Sequence, residues 1–183
     1  MSMRLPLLVP LLAVACAEAP AQQPPPPAPP PPQACTAPEH RQFDFWLGSW
    51  DVTGGPKLDT LVGRNTITKV SSGCALAEHW VNGSGQDGHS LNAFDAAAGQ
   101  WTQFWIGSDG VVLRLAGGLQ GKAMVMARRL PLASAAGGEQ WQKISWTPQD
   151  DGSVHQHWQT SDDAGATWQT SFLGIYRRTA ATP

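Results

Sequence analysis

Ten runs of alternating side chains, spread from Ser49 to Arg178, constrain this chain more than any other feature. In order they are Ser49–Thr53, Thr60–Val70, Ala75–Asn82, His89–Phe94, Trp101–Gly107, Val111–Leu119, Ala123–Leu130, Gln140–Thr147, Ser153–Thr160 and Thr167–Arg178. A period of two puts every second side chain on one face of a strand, and helical spacing is nearly absent across the stretch. Asp87-Gly88, Asp109-Gly110 and Asp151-Gly152 fall between runs. Both residues tolerate positive φ, so each dipeptide predicts a tight hairpin turn. Ten antiparallel strands joined by short turns predict an all-β, up-and-down barrel, because closure removes the exposed edges of the sheet. Gly63, Gly117, Gly118 and Gly174 are the positions expected to let strands bend at its corners.

Just before the first run stands Phe43-Asp44-Phe45-Trp46-Leu47-Gly48-Ser49-Trp50-Asp51-Val52, with four aromatic rings in eight residues. Glu39 to Trp46 reads as one or two helical turns, with Phe43, Trp46 and Leu47 on its apolar side. Gly48-x-Trp50 at the entry of the first strand, with Arg177-Arg178 at the exit of the last, resembles the calycin group of lipocalins, fatty-acid-binding proteins and nitrobindin-like barrels. The resemblance implies a lipocalin-like barrel of about ten strands. Its floor would be closed by Trp50, with an arginine of the last strand, Arg177, laid across the indole. Such a cation–π contact is worth roughly 0.5–2 kcal/mol.

A second resemblance covers essentially all of the chain after Cys35. Phe43 to Val52, Gly73 to Trp80, Gly88 to Asn92, Trp101 to Trp105, Ser161 to Trp168 and Tyr176 to Arg178 are similar to the successive motifs of an exported bacterial family of unknown function. It implies an address and a fold, and no particular chemistry. Lys143 stands where that family would have Arg, which removes a bidentate anion contact at that point. Ser161-x-Asp163-x-Gly165-x-Thr167-Trp168 also matches the Asp-box of sialidase-like propellers. A propeller repeats the box once per blade and this chain has it once, so it reads as a shared hairpin turn.

The N-terminus reads as an export signal over residues 1–21: Arg4, then an apolar core from Leu5 to Ala15 that is too short to span a bilayer. Two processing routes are open. Small residues around Ala17 and Ala21 suit ordinary cleavage, whereas Ala13-Val14-Ala15-Cys16 reads as a lipobox that would make Cys16 the lipidated N-terminus. Residues 22–34 are a proline-rich tether, extended at ~3.1 Å per residue, and residues 35–183 are one domain. The expected location is the periplasm or cell envelope, with an outer-membrane lipoprotein as one form and Cys16 as the membrane anchor. With Cys16 lipidated or removed, Cys35 and Cys74 remain as an even pair suited to a disulfide in an oxidising compartment. A net charge of −2 and only 14% charged residues exclude the basic stripe that nucleic acid requires.

Nine Trp beside one Tyr point to a shared aromatic interior. Period two groups Leu76, Glu78 and Trp80; Ser90, Asn92 and Phe94; Trp101, Gln103 and Trp105; and Val154, Gln156 and Trp158. Rings interleaved with hydrogen-bonding groups suit a ligand cavity, so Glu78, Trp80, Ser90, Asn92, Gln103, Trp105, Gln156 and Trp158 are the candidate ligand-binding residues. The partner is then a small, partly apolar molecule. The alternative is that these polar groups satisfy one another inside a filled, structural barrel.

An enzyme built around Glu78 would need a second catalytic group, and Asp95 is not on its face. Beside Arg64, Arg114 or Arg128 the carboxylate would be half of an ion pair; unpaired, its pKa would rise. His155-x-His157 has the spacing of two zinc ligands without an evident third or fourth, while His79 faces away from Glu78 and His89 falls in a turn region. Haem, held by one His in nitrobindin-like barrels, lacks its glycine-rich signature here. An enzyme, or a haem or metal protein, of unassigned reaction in the same cavity stands as a further alternative, with no catalytic residue, metal ligand or cofactor assigned.

Overall fold

The computed structural model describes residues 34–132 and 138–179. The stretch read as an export signal, Cys16 and almost all of the proline-rich stretch lie outside them. Two short 3-10 turns, Pro38–Arg41 and Asp44–Trp46, precede ten strands. The strands are β1 (Gly48–Gly54), β2 (Thr60–Val70), β3 (Ala75–Asn82), β4 (Asp87–Asp95), β5 (Gln100–Gly107), β6 (Val112–Gln120), β7 (Ala123–Pro131), β8 (Glu139–Pro148), β9 (Val154–Ser161) and β10 (Gln169–Arg178). Each pairs antiparallel with its sequence neighbours, and β1 pairs with β10 to close the barrel. This closed antiparallel architecture is compatible with a calycin-like barrel.

Alternation carries the core. Trp50 and Val52 of β1, Met124 and Met126 of β7, and Ile144 and Trp146 of β8 are buried, each separated by a more exposed residue. Two turn dipeptides fall where expected, at Asp109-Gly110 and Asp151-Gly152, with Gly110 and Gly152 at φ 83° and 79°. The third does not. Asp87 and Gly88 belong to β4, and the β3–β4 turn is made by residues 83–86, held by Asn82 Oδ1 accepting from the backbone N–H groups of Ser84 and Gln86. His89 is therefore a strand residue and not a turn residue.

Three of the glycines expected at corners also leave room for a neighbour. A Cβ on Gly63 would strike the Trp80 ring, one on Gly174 the Phe172 ring, and one on Gly117 the Val125 carbonyl, whereas Gly118 faces open space. Gly63 also lies where the β1–β2 register shifts, between Val52 and Thr53.

The floor is built by the segment ahead of β1. Phe43 and Trp46 turn up into the barrel, with Phe43 stacked on Trp46 at 4.8 Å and set edge-on to Trp101 and Trp146 at 5.7 and 5.3 Å. Trp50 Nε1 donates to the Trp46 carbonyl at 2.9 Å, and Trp101 Nε1 donates to Gln42 Oε1 at 3.1 Å. Outside, Lys69 holds Asp44 at 2.7 Å and Arg41 reaches the carbonyls of Cys35 and Gly73. A Cys35–Cys74 disulfide ties the segment to the start of β3 across 39 residues of chain. Bridges of that kind persist in oxidising compartments. No helix among the described residues is long and apolar enough to cross a membrane.

Arg178, not Arg177, lies over Trp50, with its guanidinium carbon 4.4 Å from the ring centroid. Register is the reason. Trp50 pairs directly with Arg178, so both project to the same face, and Arg177 takes the opposite one beside Thr53. Arg178 Nη1 also donates to the Leu47 carbonyl at 2.9 Å. Gly48 is what admits it: at φ +127°, a conformation that side chains rarely take, a Cβ there would collide with Arg178 Nη1.

Candidate functional site: a tryptophan-lined cavity

Above the aromatic floor the barrel encloses a cavity of about 500 Å³. Its wall carries Trp80, Trp105, Trp158 and Phe172, its base Leu113, Ile144 and Trp146, and its mouth the β3–β4 and β5–β6 turns at Asn82, Gln86, Asp87, Ser108 and Asp109. Trp80 meets Phe172 edge-on at 6.5 Å. Two of the rings lean into space that a side chain would otherwise occupy. A Cβ on Gly63 would lie 2.5 Å from the Trp80 ring, and one on Gly88 would overlap the Trp105 ring. Glycine at these two places lets large rings lie against the wall, and the volume between them stays open.

Below the polar residues of the mouth, the lining includes Glu78, Gln103, Gln156 and Tyr176. They belong to one run of hydrogen bonds around the wall. Gln103 Nε2 donates to Asn92 Oδ1 at 2.8 Å, Asn92 Nδ2 to Ser90 Oγ at 2.8 Å, and Ser90 Oγ to Glu78 Oε2 at 2.5 Å. From the other side Asn65 Nδ2 donates to Glu78 Oε1 at 2.7 Å and approaches the Tyr176 hydroxyl at 3.4 Å; that hydroxyl in turn donates to Gln156 Oε1. Seven side chains from six strands are thereby linked. Ser90 and Asn92 are not among the lining residues; they are the cross-strand partners of Glu78 and Gln103 and hydrogen-bond to them.

Glu78 is the electrostatic centre of this chain of bonds. Burial pushes its carboxyl from an ordinary value of 4.5 up to about 7, against the hydrogen bonds from Ser90 and Asn65, which favour the charged form. None of the three candidate arginines reaches it. Arg64 pairs with Asp51 at 2.9 Å, Arg114 lies over Phe104, and Arg128 donates to Gln142 and to the Val112 carbonyl. Burial, and secondarily the Glu78 charge, pushes the Tyr176 hydroxyl well above its ordinary range, so Tyr176 acts as a neutral donor. The indole N–H groups of Trp146 and Trp158 are buried without an acceptor among the described residues. The site therefore offers a carboxyl that changes charge near neutral pH and broad apolar walls.

Of the eight sequence candidates, Glu78, Trp80, Gln103, Trp105, Gln156 and Trp158 share the cavity. Asn65, Tyr176 and Phe172 were missed, although strand parity carries all three. Asn65 is two residues from buried Ile67, and Tyr176 and Phe172 share a face with Gly174.

His155 and His157 project outward from β9. His157 shares a 2.9 Å hydrogen bond with Thr170, and its pKa is lowered by burial and then by nearby Lys143. No histidine lines the cavity. The Asp-box stretch forms the β9–β10 hairpin. Ser161 Oγ accepts from the Gly165 N–H at 2.8 Å, Asp163 accepts from the N–H and hydroxyl of Thr167 at 2.8 and 2.6 Å, and Trp168 Nε1 donates to the Gly165 carbonyl at 3.0 Å. The Thr167 bonds hold the Asp163 carboxyl down at about 2. Lys143 sits over the Trp168 ring at 4.2 Å, where a cation–π contact serves in place of an anion site. No protein-family model matches the chain, and neither does any curated protein sequence.

Proposed function

We propose that this chain is an exported protein of the cell envelope that binds a small, partly apolar molecule in the open half of its barrel. One observation carries the reading: a cavity of about 500 Å³ walled by Trp80, Trp105, Trp158 and Phe172 and lined by Glu78, Gln103, Gln156 and Tyr176. Aromatic walls supply flat contact area at low entropic cost, and a few fixed polar groups orient what they hold. Glu78 on the cavity wall favours a ligand that carries a hydrogen-bond donor. The resemblance to an exported bacterial family, the leader and the disulfide support the periplasm or envelope as its place, with Cys16 as the residue that would carry a lipid anchor. A Cys16→Ala variant that leaves the membrane fraction would support the anchor; one that fractionates unchanged would remove it.

A filled, structural barrel is the second reading. What favours it is that Gln103, Asn92, Ser90, Glu78, Asn65, Tyr176 and Gln156 already bond one another. Native mass spectrometry of the chain secreted into an oxidising periplasm, followed by titration with anilinonaphthalene sulfonate, separates the two. A carried small molecule, or dye uptake that Trp105→Ala and Trp158→Ala abolish with circular dichroism unchanged, supports binding. A bare mass with no dye uptake leaves the structural barrel.

A further inference from the structure

The outer wall holds a cluster that neither the floor nor the cavity uses. His79 of β3 and His89 of β4 are direct register partners. Their neighbours Glu78, Trp80, Gly88 and Ser90 take the inner face, so both imidazoles project outward. Asp87, two residues before His89, shares that outer face. The rings are stacked with centroids 4.3 Å apart and planes 3° from parallel. Asp87 Oδ2 lies 3.5 Å from His79 Nε2 and 3.7 Å from His89 Nε2, and the three donor atoms all lie within 4.8 Å of one another. A charge-assisted hydrogen bond would draw nitrogen and oxygen to ~2.7–2.9 Å. The carboxylate closes neither contact. Three donors thus surround one small space without bonding each other across it.

We propose that His79, Asp87 and His89 form a site for one divalent transition metal of the zinc, copper and nickel class on the outer wall of the barrel. Two imidazoles with one carboxylate suit these ions, whereas magnesium and calcium ask for an all-oxygen set. Metal–nitrogen and metal–oxygen bonds of ~2.0–2.2 Å require the donors to close in by about an ångström. The side chains are 49%, 44% and 60% exposed for His79, Asp87 and His89, so χ rotation achieves this without disturbing packed neighbours.

The backbone under them is fixed. The two histidines sit opposite each other in a continuous ladder, and Asp87 is clamped from a third strand end: its N–H donates to Ser108 Oγ at 3.1 Å and its carbonyl accepts from the Ser108 N–H at 2.8 Å. Three protein donors leave the remaining position to water or to a donor from another molecule. Asp87 also lines the cavity mouth, so the site stands at the rim of the proposed binding space. The pair picked out by sequence spacing, His155 and His157, has no such convergence. Among the described residues this is the one place where three such donors gather.

The test is calorimetric titration of the full chain, purified without a histidine tag, with zinc chloride near neutral pH. One ion per chain is expected, with His79→Ala and His89→Ala each weakening binding at least ~10-fold. Asp87→Asn should weaken it less, and a His155→Ala/His157→Ala double variant should bind as the parent does. Absence of binding at ~100 μM zinc, or an affinity that survives both His79→Ala and His89→Ala, overturns the site. Should any variant fail to fold, copper(II) paramagnetic resonance on the His155→Ala/His157→Ala chain decides. Coupling to two imidazole nitrogens supports the site, and a spectrum without nitrogen coupling overturns it.

Discussion

At the floor of the barrel Trp46, Trp50, Trp101 and Trp146 are fully buried and packed ring on ring, and the N-terminal segment supplies Phe43, Gln42 and the Trp46 carbonyl to finish them. In the open half Trp80, Trp105 and Trp158 stay partly exposed, lie against glycines or the wall, and border a volume that protein atoms leave free. Both regions use the same residue type, and β5 serves both through Trp101 and Trp105. They differ in what closes over them: a tethered segment at one end, and at the other a mouth between the β3–β4 and β5–β6 turns. An indole is a core residue or a binding surface according to its cover, and its own chemistry does not choose.

The sharpest way to break that comparison is to delete one ring from each end. Trp50→Ala should cost ~3–5 kcal/mol, as large-to-small changes do in a packed core, and is read by chemical denaturation followed by circular dichroism. Reducing the Cys35–Cys74 bridge, which frees the floor segment, should cost about 2–4 kcal/mol in the same assay. A loss well below that would mean that the aromatic packing alone holds the segment.

Between the two regions lies Glu78. Its folded pKa of about 7 exceeds the ordinary 4.5, so the native state keeps a proton that the unfolded chain releases. Stability should therefore be highest below pH 4.5 as far as this group is concerned, fall by about 3 kcal/mol as pH rises to about 7, and stay level above. Glu78→Gln should flatten that decline; a wild-type profile without it would show that the carboxyl is better solvated than its burial implies.

Smaller effects refine the floor and then the cavity. Arg178→Ala should lose roughly 0.5–2 kcal/mol with its cation–π contact, while Arg177→Ala should stay within about 0.5 kcal/mol of the parent. Equal losses would undo the register assignment. Trp105→Ala should cost clearly less than the ~3–5 kcal/mol of Trp50→Ala, because one side of the ring borders open volume while the other lies against Gly88 and the core. A loss as large as that of Trp50→Ala would make the open half core after all.

Strand existence, strand order and most boundaries were legible in the sequence, since hydrophobic alternation and Gly-containing turns are local signals that need no partner. So were the pairing of Cys35 with Cys74 and the inward face of Glu78, Trp80, Gln103 and Trp105. Parity also contained the choice of Arg178 over Arg177 and the inward placement of Asn65 and Tyr176, but only once Trp50 and Ile67 fix which face is inner. Asp87-Gly88 misled because a dipeptide that suits a turn also fits a strand whose glycine yields space to a neighbouring ring.

By itself, then, the order of residues determined a ten-stranded barrel with an aromatic floor, because each strand's period and each turn's φ preference is written within a few adjacent positions. Tertiary structure alone decided which tryptophans pack and which border a cavity, that Glu78 stands without a cation, and that His79, Asp87 and His89 meet on the outer wall. Those facts depend on cross-strand register and on what covers each end. Both bring together residues far apart in the chain, at distances that no local pattern encodes.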